Sequence, residues 1–243
     1  MTAMYTNQTR VNYYDLDMCG KIKPSALLRM VHIAADENAT QLGVGFHVLH
    51  PLNITFVLQR FGLSLTRMPA YDENVTIRTW PAAISRGTFI RKGDMYDADG
   101  EKIMEWASLW LLFDLAERKI IKPTALPVEL QALGDMGVAI EPKKIDLPAD
   151  FGSPFSSYIH TVRYAEVDTN MHMNNSIYGD LIGNAMFPTG EQDAKPWKQL
   201  QINYQAETRL NEKIEVTARR DENTCLITGH VSGRVAFTAR VDC

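Results

Sequence analysis

At 243 residues the chain can hold one large domain or two small ones, and a net charge of −4 with no basic stripe argues against nucleic acid as its partner. Hydrophobic residues at 45% and charged residues at 22% exclude a disordered chain, and no run approaches the roughly 18 apolar residues of a membrane span. The cysteines Cys19, Cys225 and Cys243 show no paired spacing, and the opening MTAMYTNQTR has no basic-then-apolar signal; both point to a cytoplasmic protein.

Residues 7–14 have strand composition. Pro24 then stands where a first helical turn accepts proline. Leu27, Met30, Val31 and Ala34 follow at i, i+3, i+4 and i+7, which predicts an amphipathic helix stopped by Gly43 and Gly45. From residue 54 to 122 the period becomes two, predicting strands over 54–66, 74–80, 88–96, 102–114 and 119–121. Asp99-Gly100 is a hairpin signal, and the run around it lacks the later ligands of a calcium loop.

Between residues 126 and 154, Pro127, Pro142, Pro148 and Pro154 with no sustained period predict a linker holding one short helix at most. After it the first pattern returns. A strand over 158–165 leads into a polar cluster, then into a helix with apolar Ile177, Tyr178, Leu181, Ile182, Ala185 and Met186. Strands follow at 198–208, 213–220, 225–231 and 234–241.

The chain is duplicated. Val11-Asn12-Tyr13-Tyr14-Asp15-Leu16-Asp17 lies on Val162-Arg163-Tyr164-Ala165-Glu166-Val167-Asp168 without a gap, and Ser25 falls on Ser176 in the same register. Each half reads as a strand, one long helix and four or five antiparallel strands. One sheet wrapped around one helix buries that pattern, which is a hot-dog unit. The predicted fold class is α+β, a tandem (double) hot-dog, with an N-terminal unit over 1–125, a linker over 126–154 and a C-terminal unit over 155–243. The copies differ in polarity. Opposite Asn170 and His172 the first half has Cys19 and Lys21, and opposite Glu207 it has Leu65, so chemistry is expected in the second half and an apolar pocket in the first.

Asp168, Asn170 and His172 alternate, so an extended segment would point them to one side. Asp168 equally suits turn chemistry, and Asn174 or Asn175 suits a helix N-cap. His172 lies beside a helix N-terminus, whose exposed N–H groups suit a developing negative charge. Glu207 closes the strand segment 200–207, where alternation puts it with Gln201, Asn203 and Gln205, away from the apolar face; reaching the site needs a bulge near Glu207-Thr208 or a two-sided role for that face. Serine-elbow, zinc and phosphate-loop motifs are absent from the sequence, and His47 and His50 lack a third metal ligand, so neither cofactor nor metal is expected.

These residues match a known pattern. Asp168-Thr169-Asn170-Met171-His172-Met173-Asn174-Asn175 resembles the D-x-N-x-H-x-N-N motif of the acyl-acyl-carrier-protein thioesterases, bacterial relatives of the plant plastid enzymes that release fatty acids. The segment 203–208 is similar to that family's Y-x-x-E-C segment, and Ala107-Ser108-Leu109-Trp110 and residues 75–80 show weaker likeness. The resemblance implies a double hot-dog, an acyl chain held by the N-terminal unit, and a catalytic group of Asp168, Asn170, His172 and Glu207. It implies acylated acyl carrier protein as the substrate partner, in fatty acid biosynthesis. Thr208 stands where plant members commonly carry a cysteine, so a cysteine nucleophile is not expected.

The expected mechanism is attack by water on the thioester, with Glu207 or His172 as base, Asn170 orienting, Asp168 fixing its neighbours, and helix N-terminal amides near Asn174 and Asn175 holding the oxyanion. Arg163, Arg209, Lys195 and Lys198 are near the site in sequence and suit an acidic carrier. The rivals are an acyl-CoA thioesterase, a non-catalytic acyl-binding hot-dog protein, and a hydratase or dehydratase on this fold. Association into a homodimer stays open.

Overall fold

The computed structural model describes residues 3–148, 150–190 and 196–243. In chain order it runs through β1 (Tyr5–Arg10), α1 (Pro24–Gln41), a single turn α2 (Phe46–Leu49), β2 (Ile54–Leu65), β3 (Asn74–Ser85), β4 (Thr88–Tyr96), β5 (Lys102–Asp114) and β6 (Lys119–Ile121). The second half holds β7 (Ser153–Thr161), α3 (Ile177–Met186), β8 (Gln199–Tyr204), β9 (Lys213–Asp221), β10 (Thr224–Val231) and β11 (Arg234–Asp242).

Two compact units result: residues 1–11 with 30–142, and residues 12–29 with 143–243. Relative to a division of the chain at the linker, the segment 12–29, which ends in the first turns of α1, packs with the second unit.

In the first unit the strands pair antiparallel in the order β1-β3-β4-β5-β2, with β6 beside β5. Residues opposite one another across such a ladder share a face. One face packs on α1: the His32 ring meets Phe61 and Trp110 edge-on, and the Arg91 guanidinium donates to Asn38 Oδ1 at 2.6 Å. Burial pulls the Arg91 pKa down to about 10 and that of His32 down to about 4. The opposite face carries Trp80 and Lys92, and the predicted linker covers it.

The linker is therefore an ordered strap without a helix of its own between residues 126 and 148. Leu133 and Gly134 donate N–H bonds to the carbonyls of Pro81 and Ala82, and the Trp80 indole N–H donates to Gly134 O at 2.9 Å. Val138 is buried with Trp80 and Ala82. The buried Lys92 ammonium donates to Val138 O and pairs with Asp135, both at 2.7 Å, so the charge inside is matched.

In the second unit the order is β8-β11-β10-β9-β7. Five of the six residues predicted to be apolar on α3, Tyr178, Leu181, Ile182, Ala185 and Met186, are buried, and the Tyr158 hydroxyl of β7 donates to Leu181 O at 2.7 Å. The start of α1 lies against α3. A Cβ on Gly179 would sit 2.5 Å from Ser25 N, so only glycine permits this approach, and Ser25 Oγ donates to the Asp180 carboxylate. Each unit is an antiparallel sheet packed on a long helix, the hot-dog arrangement, present twice.

Candidate active site

The cluster before α3 is a closed loop, and the one-sided extended segment expected from alternation is not formed. Val167 and Met173 form an antiparallel bridge, Asp168 N–H donates to His172 O at 3.1 Å, and Met171 N–H donates to Asp168 O at 3.0 Å. The turn places Met171 at φ 64°, a left-handed conformation unusual for a side-chain-bearing residue. The first copy builds the same loop: Leu16 bridges Ile22, Asp17 N–H donates to Lys21 O at 2.8 Å, and Gly20 takes the Met171 position at φ 73°.

Asp168 organises this loop. Its Oδ1 accepts the Asn170 N–H at 2.9 Å and its Oδ2 accepts the Asn174 side-chain N–H at 3.0 Å. Asp17 plays the matching part, accepting the N–H groups of Cys19 and Lys21 at 2.8 and 2.9 Å. The turn function of the aspartate thus belongs to the fold, while the cross-link to Asn174 belongs to the second copy.

The N-cap of α3 is Ser176, and Asn174 braces it from two residues ahead. Asn174 Oδ1 accepts the Ser176 N–H at 2.9 Å and the Ser176 hydroxyl at 2.8 Å, so Asn174 ties the loop carboxylate to the residue that opens the helix. Its own N–H goes to Glu166 O at 2.8 Å. Asn175 accepts the Tyr204 hydroxyl at its carbonyl, at 3.2 Å. Asn170 is exposed at the loop tip, and its side-chain amide has no protein partner among the described residues.

His172 is half-buried, with Nδ1 at 3.3 Å from Met173 O. A carbonyl can only accept, so this contact needs the proton on Nδ1 and leaves the Nε2 lone pair as the basic atom.

Two features just past β8 set the position of the Glu207 segment beside the loop. Gln205 and Ala206 both donate to Ala236 O, at 2.9 and 3.1 Å, two residues facing one. This bulge, just ahead of Glu207, breaks the alternation that would group it with Gln201 and Asn203. Those two belong elsewhere: Gln201 bonds Lys143 through both atoms of its amide, and Asn203 spans Lys143 O and Ile145 N, fastening the end of the strap. The Met173 N–H then donates to Thr208 O at 2.7 Å, which joins the strand end to the loop. Glu207 itself is exposed, with Arg209 Nη2 at 3.5 Å from its carboxylate and Arg234 donating to its backbone oxygen at 2.9 Å.

Thr208 is fully buried, its hydroxyl 3.0 Å from that of Tyr178. Of the expected basic residues, Arg163, Arg209 and Lys198 are exposed, and Lys195 lies outside the described residues. Among the described residues no group of three metal-ligating side chains occurs, and no helix is long and apolar enough to cross a membrane.

Residues 2–125 match the acyl-ACP thioesterase N-terminal domain, and residues 154–237 match the acyl-ACP thioesterase C-terminal domain. The chain belongs to the acyl-ACP thioesterase family. It is 21% identical over 197 residues to the chloroplastic palmitoyl-acyl carrier protein thioesterase of Arabidopsis thaliana, covering 79% of this chain and 46% of that protein. It is 26% identical over 175 residues to the chloroplastic dodecanoyl-[acyl-carrier-protein] hydrolase of Cinnamomum camphora, covering 65% of this chain and 44% of that protein. The chain thus spans under half the length of these curated relatives. A crystal structure of an acyl-ACP thioesterase from Bacteroides thetaiotaomicron superposes with a TM-score of 0.80 at 24% identity, covering 99% of this chain and 97% of that one. The 12:0-ACP thioesterase from Umbellularia californica superposes with a TM-score of 0.76 at 16% identity, covering 100% and 97%. At these identities the superpositions bear on the fold alone, and the fold they share is the double hot-dog.

Sequence reasoning on this acyl-ACP thioesterase chain passed over Tyr204 and Arg234, which hold backbone next to the candidate residues. Tyr204 stood inside the quoted segment 203–208; nothing in the pattern around Arg234 singles it out.

Proposed function

We propose that this protein hydrolyses acyl-acyl-carrier-protein thioesters and releases free fatty acid, with the reaction in the C-terminal unit and the acyl chain held by the N-terminal one. The Met173–Thr208 backbone bond carries the reading, because it joins the strand end next to Glu207 to a loop that holds a histidine, an asparagine and the start of a helix. Family membership supports the choice of substrate. Water is the nucleophile. Glu207, alone or with the Nε2 lone pair of His172, takes its proton, a task typically worth about 10²–10⁴ in rate. Asn170 orients the water or the thioester from the loop tip. Asp168 fixes the loop and Asn174. At the start of α3 the Asn175 N–H stabilises the tetrahedral oxyanion, with the Asn174 side chain fixing the adjoining peptide, at roughly 10²–10³ per donor lost.

A thioester is already activated, so the reaction runs without metal or cofactor in this account. Exposed Arg163 and Arg209, beside exposed Tyr164 and Leu210, suit an acidic carrier with apolar contacts. Cys19, Cys225 and Cys243 form no disulfide among the described residues, in keeping with a cytoplasmic location. Fatty acid release should be measured over a series of acyl-carrier-protein chain lengths and on the matching acyl-CoA esters. Faster turnover on the carrier thioester supports the proposal; equal turnover removes the carrier as the partner, and no release from either leaves an acyl-binding protein.

A further inference from the structure

Tyr204 ends β8, just ahead of the bulge that leads to Glu207, and the chemistry above gives it no task. Its hydroxyl donates to the carbonyl oxygen of Asn175 at 3.2 Å. That oxygen is one edge of the Asn175–Ser176 peptide. The N–H on the other edge donates to Asn174 Oδ1 at 2.9 Å. A trans peptide is planar with C=O and N–H antiparallel, so bonds to both edges fix its rotation. The preceding peptide is fixed as well: Asn174 O accepts the Ile177 N–H at 3.0 Å, which turns the Asn175 N–H out of the helix's N-terminal end.

We propose that Tyr204 is a positioning residue of the thioesterase site, its hydroxyl tying the strand that leads to Glu207 to the peptides that aim the Asn175 N–H at the start of α3. The inference rests on the hydrolytic reading above. The phenol suits the task. Burial raises its pKa well above the ordinary 10, which favours the protonated, donating phenol. Its ring meets Tyr178 edge-on at 5.2 Å, and Tyr178 meets Phe237 in the same way at 5.1 Å, so the hydroxyl rides on a fixed aromatic stack. The neighbouring phenol supplies a built-in comparison: the Tyr178 hydroxyl bonds the Thr208 side-chain Oγ1 at 3.0 Å, not a backbone carbonyl.

The experiment compares Tyr204→Phe and Tyr178→Phe in the full chain by steady-state kinetics on an acyl-carrier-protein thioester, thermal unfolding and amide hydrogen exchange. Tyr204→Phe should lower kcat about tenfold, the weight of one neutral hydrogen bond, with KM unchanged, and should speed exchange at Asn175 and Ser176. Tyr178→Phe should leave kcat and that exchange as they are. A Tyr204→Phe protein with wild-type kcat and only a lowered Tm overturns the proposal, because a merely structural tyrosine behaves so. If the wild-type protein releases no fatty acid, the hydrolytic reading fails by itself, and unchanged exchange at Asn175 and Ser176 then overturns the tie independently.

Discussion

The Met173 N–H donates to the Thr208 carbonyl oxygen at 2.7 Å, and this one backbone bond holds the loop of His172 against the strand end of Glu207. The two segments are far apart in sequence, and the Tyr204 hydroxyl adds a second tie, to the Asn175 carbonyl oxygen. Glu207 is exposed and His172 half-buried, so both can be altered without opening the core.

Replacing Glu207 by Gln, or His172 by Ala, should lower kcat/KM on an acyl-carrier-protein thioester by about 10²–10⁴, with Tm within about 3 °C of wild type. Steady-state kinetics beside a thermal melt checks both halves. A loss of activity that tracks a loss of folded protein would assign these residues a structural part instead.

Thr208 has the opposite balance. Its buried hydroxyl answers that of Tyr178, so Thr208→Ala should destabilise by roughly 1–2 kcal/mol through the orphaned phenol while most activity is kept. Thr208→Cys should be milder still. Should Thr208→Ala abolish hydrolysis in a protein that still folds, while Glu207→Gln does not, the water mechanism would be wrong.

Gly179 and Gly183 of α3 make a matched pair. A Cβ at Gly179 would lie 2.5 Å from Ser25 N, 2.7 Å from Ser25 Cα and 2.9 Å from Pro24 C, all backbone atoms that cannot step aside singly. Gly179→Ala should cost about 1–3 kcal/mol or prevent folding. At Gly183 the nearest atom is Pro24 Cδ at 3.8 Å, so Gly183→Ala should be neutral or stabilise by up to about 1 kcal/mol from helix propensity. Denaturant midpoints of the two variants decide the point; equal effects would contradict the close approach of α1 and α3.

Much of this architecture was legible in the sequence. The strands predicted over 88–96, 102–114 and 119–121 are observed as β4, β5 and β6 with those bounds, because aromatic and β-branched residues recur there between turn signals. The first strand was placed too late: β1 ends at Arg10, and Tyr13–Asp15 form a 3₁₀ turn, where Asp15 accepts the Asn12 N–H. The strap was not legible, since its bonds go to Pro81, Ala82, Trp80 and Lys92, distant residues that leave no local period. The alternation of Asp168, Asn170 and His172 misled, because side-chain period means nothing in a turn. The signal against it lay in the duplicate, where Gly20 stands opposite Met171 and marks a left-handed position. A bulge was called for by the mismatch between Glu207 and its strand, and it occurs at Gln205 and Ala206, slightly earlier than the position expected.

His32 gives the pH dependence of stability. Burial beside Phe61 and Trp110 lowers its pKa from 6.5 to about 4, and its Nε2 has no hydrogen-bond partner among the described residues. Between those values the unfolded chain takes up a proton that the folded chain refuses. Stability from this residue is therefore full above pH 6.5 and is lost as pH falls toward 4, by up to roughly 1.4 kcal/mol per pH unit. Urea unfolding at pH 7, 6, 5 and 4.5 should show a shallower slope for His32→Phe than for wild type. Parallel slopes would mean that His32 titrates normally.

The central claim is hydrolysis of a carrier-bound thioester by a site that needs the Glu207 carboxylate. Its most direct test measures free fatty acid released from an acylated acyl carrier protein by the wild-type protein and by Glu207→Gln, under conditions in which both are shown to be folded. The account predicts multiple turnovers for the wild type and a rate at least about 10²-fold lower for the variant. Equal release by the two proteins, or none by the wild type across the chain-length series, would contradict it.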